Sequence, residues 1–388
     1  NTVVNIFGYD SNCTFRLGSN SSGITDNDLT INLNAGESYV LAANISGSGN
    51  NANYSGWLGA SITSNNKIAV SLCEGHFQPA DASVSYGQDT AIDQIIPENT
   101  LGKEYIFIRG KGEDKIEYPV IVATQNNTEI YVNGATTPIT IINNGEFYSI
   151  PGSNYSVSAP NGTAEGANMY VRTSKEAYAF QSLSGNGPNG GPQVDFNFIA
   201  PVNFLLNKSV DYIPVINNVA GTIIGGAITI ISAANTPESD LQVEVNGQMI
   251  STSTLVSAAR TVSGTDEWKT YLLNNLNGDV IVNSTGSIAV GFFGYSGVIG
   301  VSGYFSGFES IPTINVENIG GCLPGVTLNA PADFTAYQWY NGDNLIQGAT
   351  TRTYSPTLPG TYNVQVSTID GSYMSAPVNV NDCYPEIV

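Results

Sequence analysis

The stretch AIDQIIPENTLGKEYIFI, residues 91–108, returns in outline as FNFIAPVNFLLNKSVDYIPV, residues 196–215. Each reads as an apolar run, a proline, a leucine, a lysine and then a tyrosine opening an apolar strand. A sentence written twice marks the joints of a repeat, with Pro97 and Pro201 punctuating the crossing between units. Lys103 and Lys208 recur with it and read as solvated charges.

Outward from the joints the likeness continues. YPVIVATQNNTEIYVNG (118–134) follows the first, and GAITIISAANTPESDLQVEVNG (226–247) follows the second. The opening VVNIFGYDSNCTFRLGS (3–19) and KIAVSLCEG (67–75) fit the same grammar. Ala69, Ala179 and Ala289, in KIAV, AYAF and SIAV, stand 110 residues apart, and Val132 and Val245 of the two VNG turns stand 113 apart. Alternation such as EIYVNG and LQVEVNG suits half-buried antiparallel strands. The expected fold is therefore all-β: a three-copy antiparallel β unit of about 110 residues per copy, followed by an Ig-like β-sandwich. The copies are placed at 1–98, 99–202 and 203–316, and the sandwich at 317–388. Residues 304–316 look like a strand that returns to copy 1 and closes a pseudo-threefold ring.

Composition agrees. Charged residues are 11% of the 388, with 42 glycines; an average globular chain has about 25% charged. Asn, Ser, Thr and Gly supply polarity instead, the vocabulary of strands and positive-φ turns. Thirty-two acidic against 12 basic residues give a net charge of −20. Nucleic acid and anionic membrane surfaces, which both need a basic footprint, are disfavoured as partners. No apolar run reaches the roughly 18 residues of a membrane span. The chain opens as a mature product would, and its composition reads as extracellular.

Four cysteines form two local pairs, Cys13 with Cys73 and Cys322 with Cys383, candidates for disulfides in an oxidising compartment. From about residue 318 short strands alternate with turn signals, as in an immunoglobulin-like sandwich. Trp339 in YQWY is its expected core residue and Tyr362 in GTYNV its corner tyrosine.

KIAVSLCEG, AIDQIIPENTLGKEYIFI and YPVIVATQNNTEIYVNG resemble the N-terminal domain family of IgGFc-binding protein, over roughly residues 1–310. That resemblance implies a bacterial surface protein and assigns no antibody ligand. The last module is similar to PKD/Ig-like repeats of large Bacteroidota surface proteins, in which a stretch like DCYPEIV leads into a gliding-motility-associated sorting domain. The implied route is type IX secretion, through machinery that reads a domain beyond Val388.

Candidate sites are sparse. His76 is the only histidine and no GxSxG elbow accompanies it, so nucleophilic catalysis is poorly served. Asp93 and Glu98 could pair as glycosidase carboxylates, but Phe198 and Val202 replace them in the second joint. Asp26 with Asp28 and Asp266 with Glu267 offer hard oxygen ligands for calcium, without the spacing of an EF-hand loop; no other cofactor is expected. Trp57 and Trp268 follow polar, Gly-rich loops and could form a ligand platform. Thr90 in DTA resembles a Bacteroidota O-glycosylation sequon. The expected function is adhesion or extracellular assembly at the cell surface, with a glycan or surface protein as partner. The alternatives are a polysaccharide-active enzyme with paired carboxylates and a purely structural subunit.

Overall fold

Both VNG stretches make the turn their residues favour. Asn133 and Gly134 have φ of 51° and 79°, and Asn246 and Gly247 have 49° and 75°. Two successive left-handed residues define a type I′ hairpin turn, where Asn-Gly is the least costly pair. The computed structural model describes residues 1–8, 13, 15–17, 28–43, 56–77, 89–162, 164–184, 194–203, 205–304, 314–318, 322–332, 334–367 and 372–382. It divides into two units, Asn1–Phe308 and Glu309–Val388.

Residues 1–98 contribute β1 (Thr2–Phe7), β2 (Phe15–Leu17), β3 (Asp28–Leu33), β4 (Leu41–Ala43), β5 (Ser61–Ser64), β6 (Val70–Phe77) and β7 (Asp89–Ile95). β1 lies between β3 and β5, β2 pairs with β4, and β6 pairs with β7. Val4, Ile6 and Cys13 form the small core, with Trp57 packed against it.

The second module holds β8 (Gly102–Ile108), β9 (Pro119–Ala123), β10 (Thr128–Val132), β11 (Thr140–Ile142), β12 (Phe147–Ser149), β13 (Asn168–Ser184) and β14 (Val194–Phe198). β13 is 17 residues long and its register shifts between Arg172 and Ala177. Its first half pairs with β8 and β10, its second half with β9 and β14. The irregularity lets one strand serve two sheet halves, as bulges do where a sheet folds over itself. Tyr105, Ile121, Ile130, Met169 and Ala179 meet in the core so enclosed.

The third module adds β15 (Ser209–Ile213), β16 (Asn218–Val219), β17 (Thr222–Ile223), β18 (Gly225–Ala233), β19 (Leu241–Val245), β20 (Gln248–Met249), the helix α1 (Thr252–Ala258), β21 (Arg260–Val262), β22 (Thr265–Leu276), β23 (Val280–Ser284), β24 (Ile288–Ser296) and β25 (Ile299–Tyr304). Its wiring repeats that of the second. β23 lies between β15 and β19 as the first half of β13 lies between β8 and β10. β24 lies between β18 and β25 as the second half of β13 lies between β9 and β14. The Ser251 hydroxyl caps α1 by accepting Thr254 N–H, and α1 buries Leu255.

The repeated joints pack on one another. Pro201 of the second lies so close to Gly102 of the first that a Cβ there would come within 2.5 Å, and Val202 N–H donates to Glu104 O at 2.9 Å. The outer face of β8 and β13 (Ile106, Ile108, Tyr170) is buried against Ile231, Trp268 and Ala289 of the third module. Lys103 and Lys208 are exposed.

Two expectations are not confirmed by the described residues. The three-copy repeat is shown as a shared wiring only for the second and third modules; in the first, β1 pairs with β3 and β5 rather than with β6. The alanine spacing misleads because Ala179 lies in its own module's core while Ala289 faces the neighbouring module. A one-residue slip moves a side chain to the other face of a strand. The expected ring-closing strand, residues 304–316, lies mostly outside the described residues; at its end β26 (Asn315–Asn318) pairs with β27 (Val326–Asn329) in the second unit.

That unit continues with β28 (Ala336–Asn341), β29 (Asn344–Leu345), β30 (Thr353–Tyr354), β31 (Gly360–Ser367), β32 (Ser372–Met374) and β33 (Val378–Val380). One sheet runs β26-β27-β30; the other runs β29-β28-β31-β32, with β33 also on β31. Leu328 from the first and Trp339, Val364 and Val366 from the second share one core. Trp339 Nε1 donates to Thr351 O at 2.9 Å, and the Tyr362 hydroxyl to Leu358 O at 2.7 Å. Both residues hold the places expected of them.

Candidate binding surface

Between β8 and β9 the chain reads RGKGEDKIEYP, rich in charge yet folded inward. Arg109 and Glu117 are wholly buried, with Arg109 Nε 3.8 Å from Glu117 Oε2. The Glu117 carboxylate accepts N–H groups from Gly110, Gly112 and Ser184 at 2.8–3.0 Å. Burial pushes this carboxyl up to about 7, against the downward pull of those donors and of Arg109. Asp114 takes the other side of the guanidinium at 2.5 Å. Its burial is outweighed by hydrogen bonds from Ser158, Ala159 and Arg109, so its carboxyl stays below the ordinary range. These charges are desolvated and mutually satisfied, which makes them structural. Lys111, from the same loop, reaches the third module, its Nζ 3.7 Å from the centre of the Tyr295 ring and 3.3 Å from Glu165.

The open surface with chemistry to offer lies at the junction of these modules. Glu104 on β8, Tyr170 on β13 and the Gly264–Glu267 turn leading into β22 line a groove. Asp266 and Glu267 are exposed there, while Tyr170 is buried. Burial chiefly, then the Glu104 carboxylate beside it, raises the Tyr170 hydroxyl pKa. A groove walled by carboxylates around a neutral phenol favours uncharged or cationic ligand groups and repels phosphate or carboxylate.

The expected site residues meet different fates. Asp266 and Glu267 do line this groove, but among the described residues no three His, Cys, Asp or Glu side chains gather to hold a metal ion. Asp28 is exposed on β3, and Asp26 lies outside the described residues. Trp268 is only 2% exposed, packed between modules, and Trp57 is half-buried on the first core, so neither is a platform. The Gly-rich loops before them suggested exposure; Trp268 instead follows the alternation of β22 inward, and Trp57 packs onto the first core from the turn ahead of β5. Thr90 is exposed on β7. Cys13 and Cys73 are not joined: Cys13 is buried beside Val4 and Ile6, whereas Cys73 is exposed on β6. Cys322 is disulfide-bonded, and Leu323 beside it bridges to Asp382; Cys383 lies outside the described residues. Asp93 is occupied as an acceptor for Phe198 and Gln94 N–H. Glu104 and Tyr170 escaped the sequence reading because they meet Asp266 only through the packing of two modules.

A family model described as IgGFc binding protein matches residues 1–294, taking in the first two modules and the third as far as β24. The chain belongs to the IgGFc binding protein family. No curated protein matches it. Membership places the chain among surface or secreted binding proteins. The match ends before the Glu309–Val388 unit. No helix among the described residues is long and apolar enough to cross a membrane.

Proposed function

We propose that this protein is a non-enzymatic adhesion or assembly protein of the cell surface. In this reading the paired second and third modules present loops and the junction groove to a glycan or protein partner. The Glu309–Val388 unit acts as a spacer toward the anchor, and export follows the type IX route through a sorting domain beyond this segment.

The observation that carries the reading is the employment of the shielded carboxylates. Glu117 is held by three N–H donors and Asp114 by Arg109. Asp93 accepts Phe198 N–H, and Asp195 accepts Ser302 N–H. Glycoside hydrolysis needs two carboxyl groups facing a cleft and free to exchange protons. These serve as ties between strands instead, which supports binding over turnover.

The test is a glycan and polysaccharide array probed with the purified chain, with and without calcium, scored for binding and for released sugar. Binding without release is expected. Released sugar would overturn the reading, and loss of binding on chelation would add calcium to the site.

A further inference from the structure

β18, β24 and β25 lie side by side, and one row across them reads Thr229, Gly291, Tyr304 in direct register. Residues opposite one another in a ladder point to one face, so Thr229 and Tyr304 flank a position that carries no side chain. A Cβ on Gly291 would come 2.7 Å from Thr229 Oγ1 and 3.2 Å from the Tyr304 ring. In the second module Gln181 and Asn197 are likewise opposite, on β13 and β14. All five residues line one cavity of about 20 Å³ where the second and third modules meet.

The polar groups here are shielded and only half employed. Gln181, Asn197 and Thr229 are 3%, 8% and 9% exposed. Gln181 Nε2 donates to Ile108 O at 2.8 Å and to the Tyr155 hydroxyl at 2.9 Å, which occupies both its N–H groups. Asn197 Nδ2 donates to Ser302 Oγ. Among the described residues the two amide oxygens accept nothing, and the Thr229 and Tyr304 hydroxyls make no hydrogen bond. Burying such an oxygen with no partner costs as much as a lost hydrogen bond.

Two amide oxygens can accept and two hydroxyls can donate. That set is the complement of a water molecule, which donates twice and accepts twice. A cavity holds one water once it offers roughly 10–15 Å³ and two to four polar partners, and this one meets both conditions. No charged side chain lines it, which favours a neutral guest over an ion.

We propose that this cavity binds one internal water, held by Gln181 Oε1, Asn197 Oδ1, Thr229 Oγ1 and the Tyr304 hydroxyl, and that Gly291 is glycine to leave room for it. The water joins β13 and β14 of the second module to β18 and β25 of the third, so it belongs to the joint between modules. An alkali cation, the other guest that four oxygens could take, would leave both hydroxyl protons unbonded. The inference stands apart from the binding reading above.

Urea unfolding of the intact chain tests this by the sign of an effect. A hydroxyl bonded to buried water stabilises the fold, whereas a buried hydroxyl without a partner penalises it. Thr229→Val and Tyr304→Phe should each lower the midpoint, raising the unfolding constant about three- to tenfold. Because the two hydroxyls share one water, the double variant should lose less than the product of the single effects. A midpoint unchanged or raised in the single variants, or effects that simply multiply, would overturn the proposal. A crystal structure of the chain should show one density peak at hydrogen-bond distance from the four oxygens; a cavity without that peak would overturn the proposal even if the midpoints fell. A wild-type midpoint higher in sodium chloride than in choline chloride at equal ionic strength, with no such difference in Thr229→Val, would overturn it in favour of a cation.

Discussion

Gly134 and Gly264 meet backbone against backbone: a Cβ on Gly264 would lie 2.2 Å from the Gly134 nitrogen. One belongs to the Asn-Gly turn of the second module and the other to the turn entering β22 of the third. Gly264 also sits at φ 95°, so a side chain there is opposed twice. Gly264→Ala is expected to destabilise the Asn1–Phe308 unit by roughly 3 kcal/mol, from overpacking and left-handed strain together. Gly297→Ala is the control, at φ 59° with nothing within 4 Å, and should cost only about 1 kcal/mol. Urea midpoints at constant slope measure both; equal losses would mean that the close approach contributes nothing.

Removing Arg109 leaves Glu117 with only its N–H donors, in a site where neither residue reaches solvent. Arg109→Met should therefore cost about 3–5 kcal/mol, the scale for breaking a buried ion pair. Arg109→Met combined with Glu117→Gln should recover part of that loss, since the wholly buried carboxylate is then neutral and only the partly exposed Asp114 loses its ion-pair partner. A double variant no better than the single, read by denaturant unfolding, would show that packing rather than charge dominates.

The same carboxyl gives the fold a pH signature. Its folded pKa is raised from 4.5 to about 7, so the folded state holds the proton more tightly than the unfolded chain. The associated stability is complete below the unfolded value and is lost as the pH rises through the folded one. The wild-type midpoint should fall between about pH 5 and pH 8, and the fall should be shallower in Glu117→Gln. Parallel slopes in the two proteins would assign the pH dependence to other groups.

Cys73 is exposed and Cys13 is 1% exposed. A maleimide should modify one thiol rapidly in the native protein and a second only on unfolding, without prior reduction. Two unreactive thiols that appear only after reduction would restore the disulfide expected from the sequence.

Much of this was legible in the chain and some of it was not, for physical reasons. The joints at Pro97 and Pro201 and the two Asn-Gly turns are local, and local chemistry is what sequence records. Trp339 and Tyr362 were readable because alternation and turn spacing fix their positions. The alanine ladder failed since its spacing does not fix the face, and Ala179 and Ala289 face opposite ways. Trp268 was misplaced because what covers it is another module's strand. The groove of Glu104 and Asp266 was invisible for the same reason: contacts more than a hundred residues apart are made by packing.

In the Glu309–Val388 unit, the Tyr362 hydroxyl ties β31 to the preceding turn through Leu358 O. The ring is 2% exposed and its centre lies 5.8 Å from that of Tyr354. Tyr362→Phe keeps the ring and leaves the Leu358 carbonyl without that donor, a loss of about 1–2 kcal/mol. Tyr362→Ala also empties the core beside Trp339 and should cost about 3–5 kcal/mol. Trp339 fluorescence during urea unfolding reads both. In the intact chain Trp57 and Trp268 add to the signal, so a Trp57→Phe, Trp268→Phe background keeps the reading local. A Phe variant as costly as the Ala variant would show that the hydroxyl, rather than the ring, holds this corner.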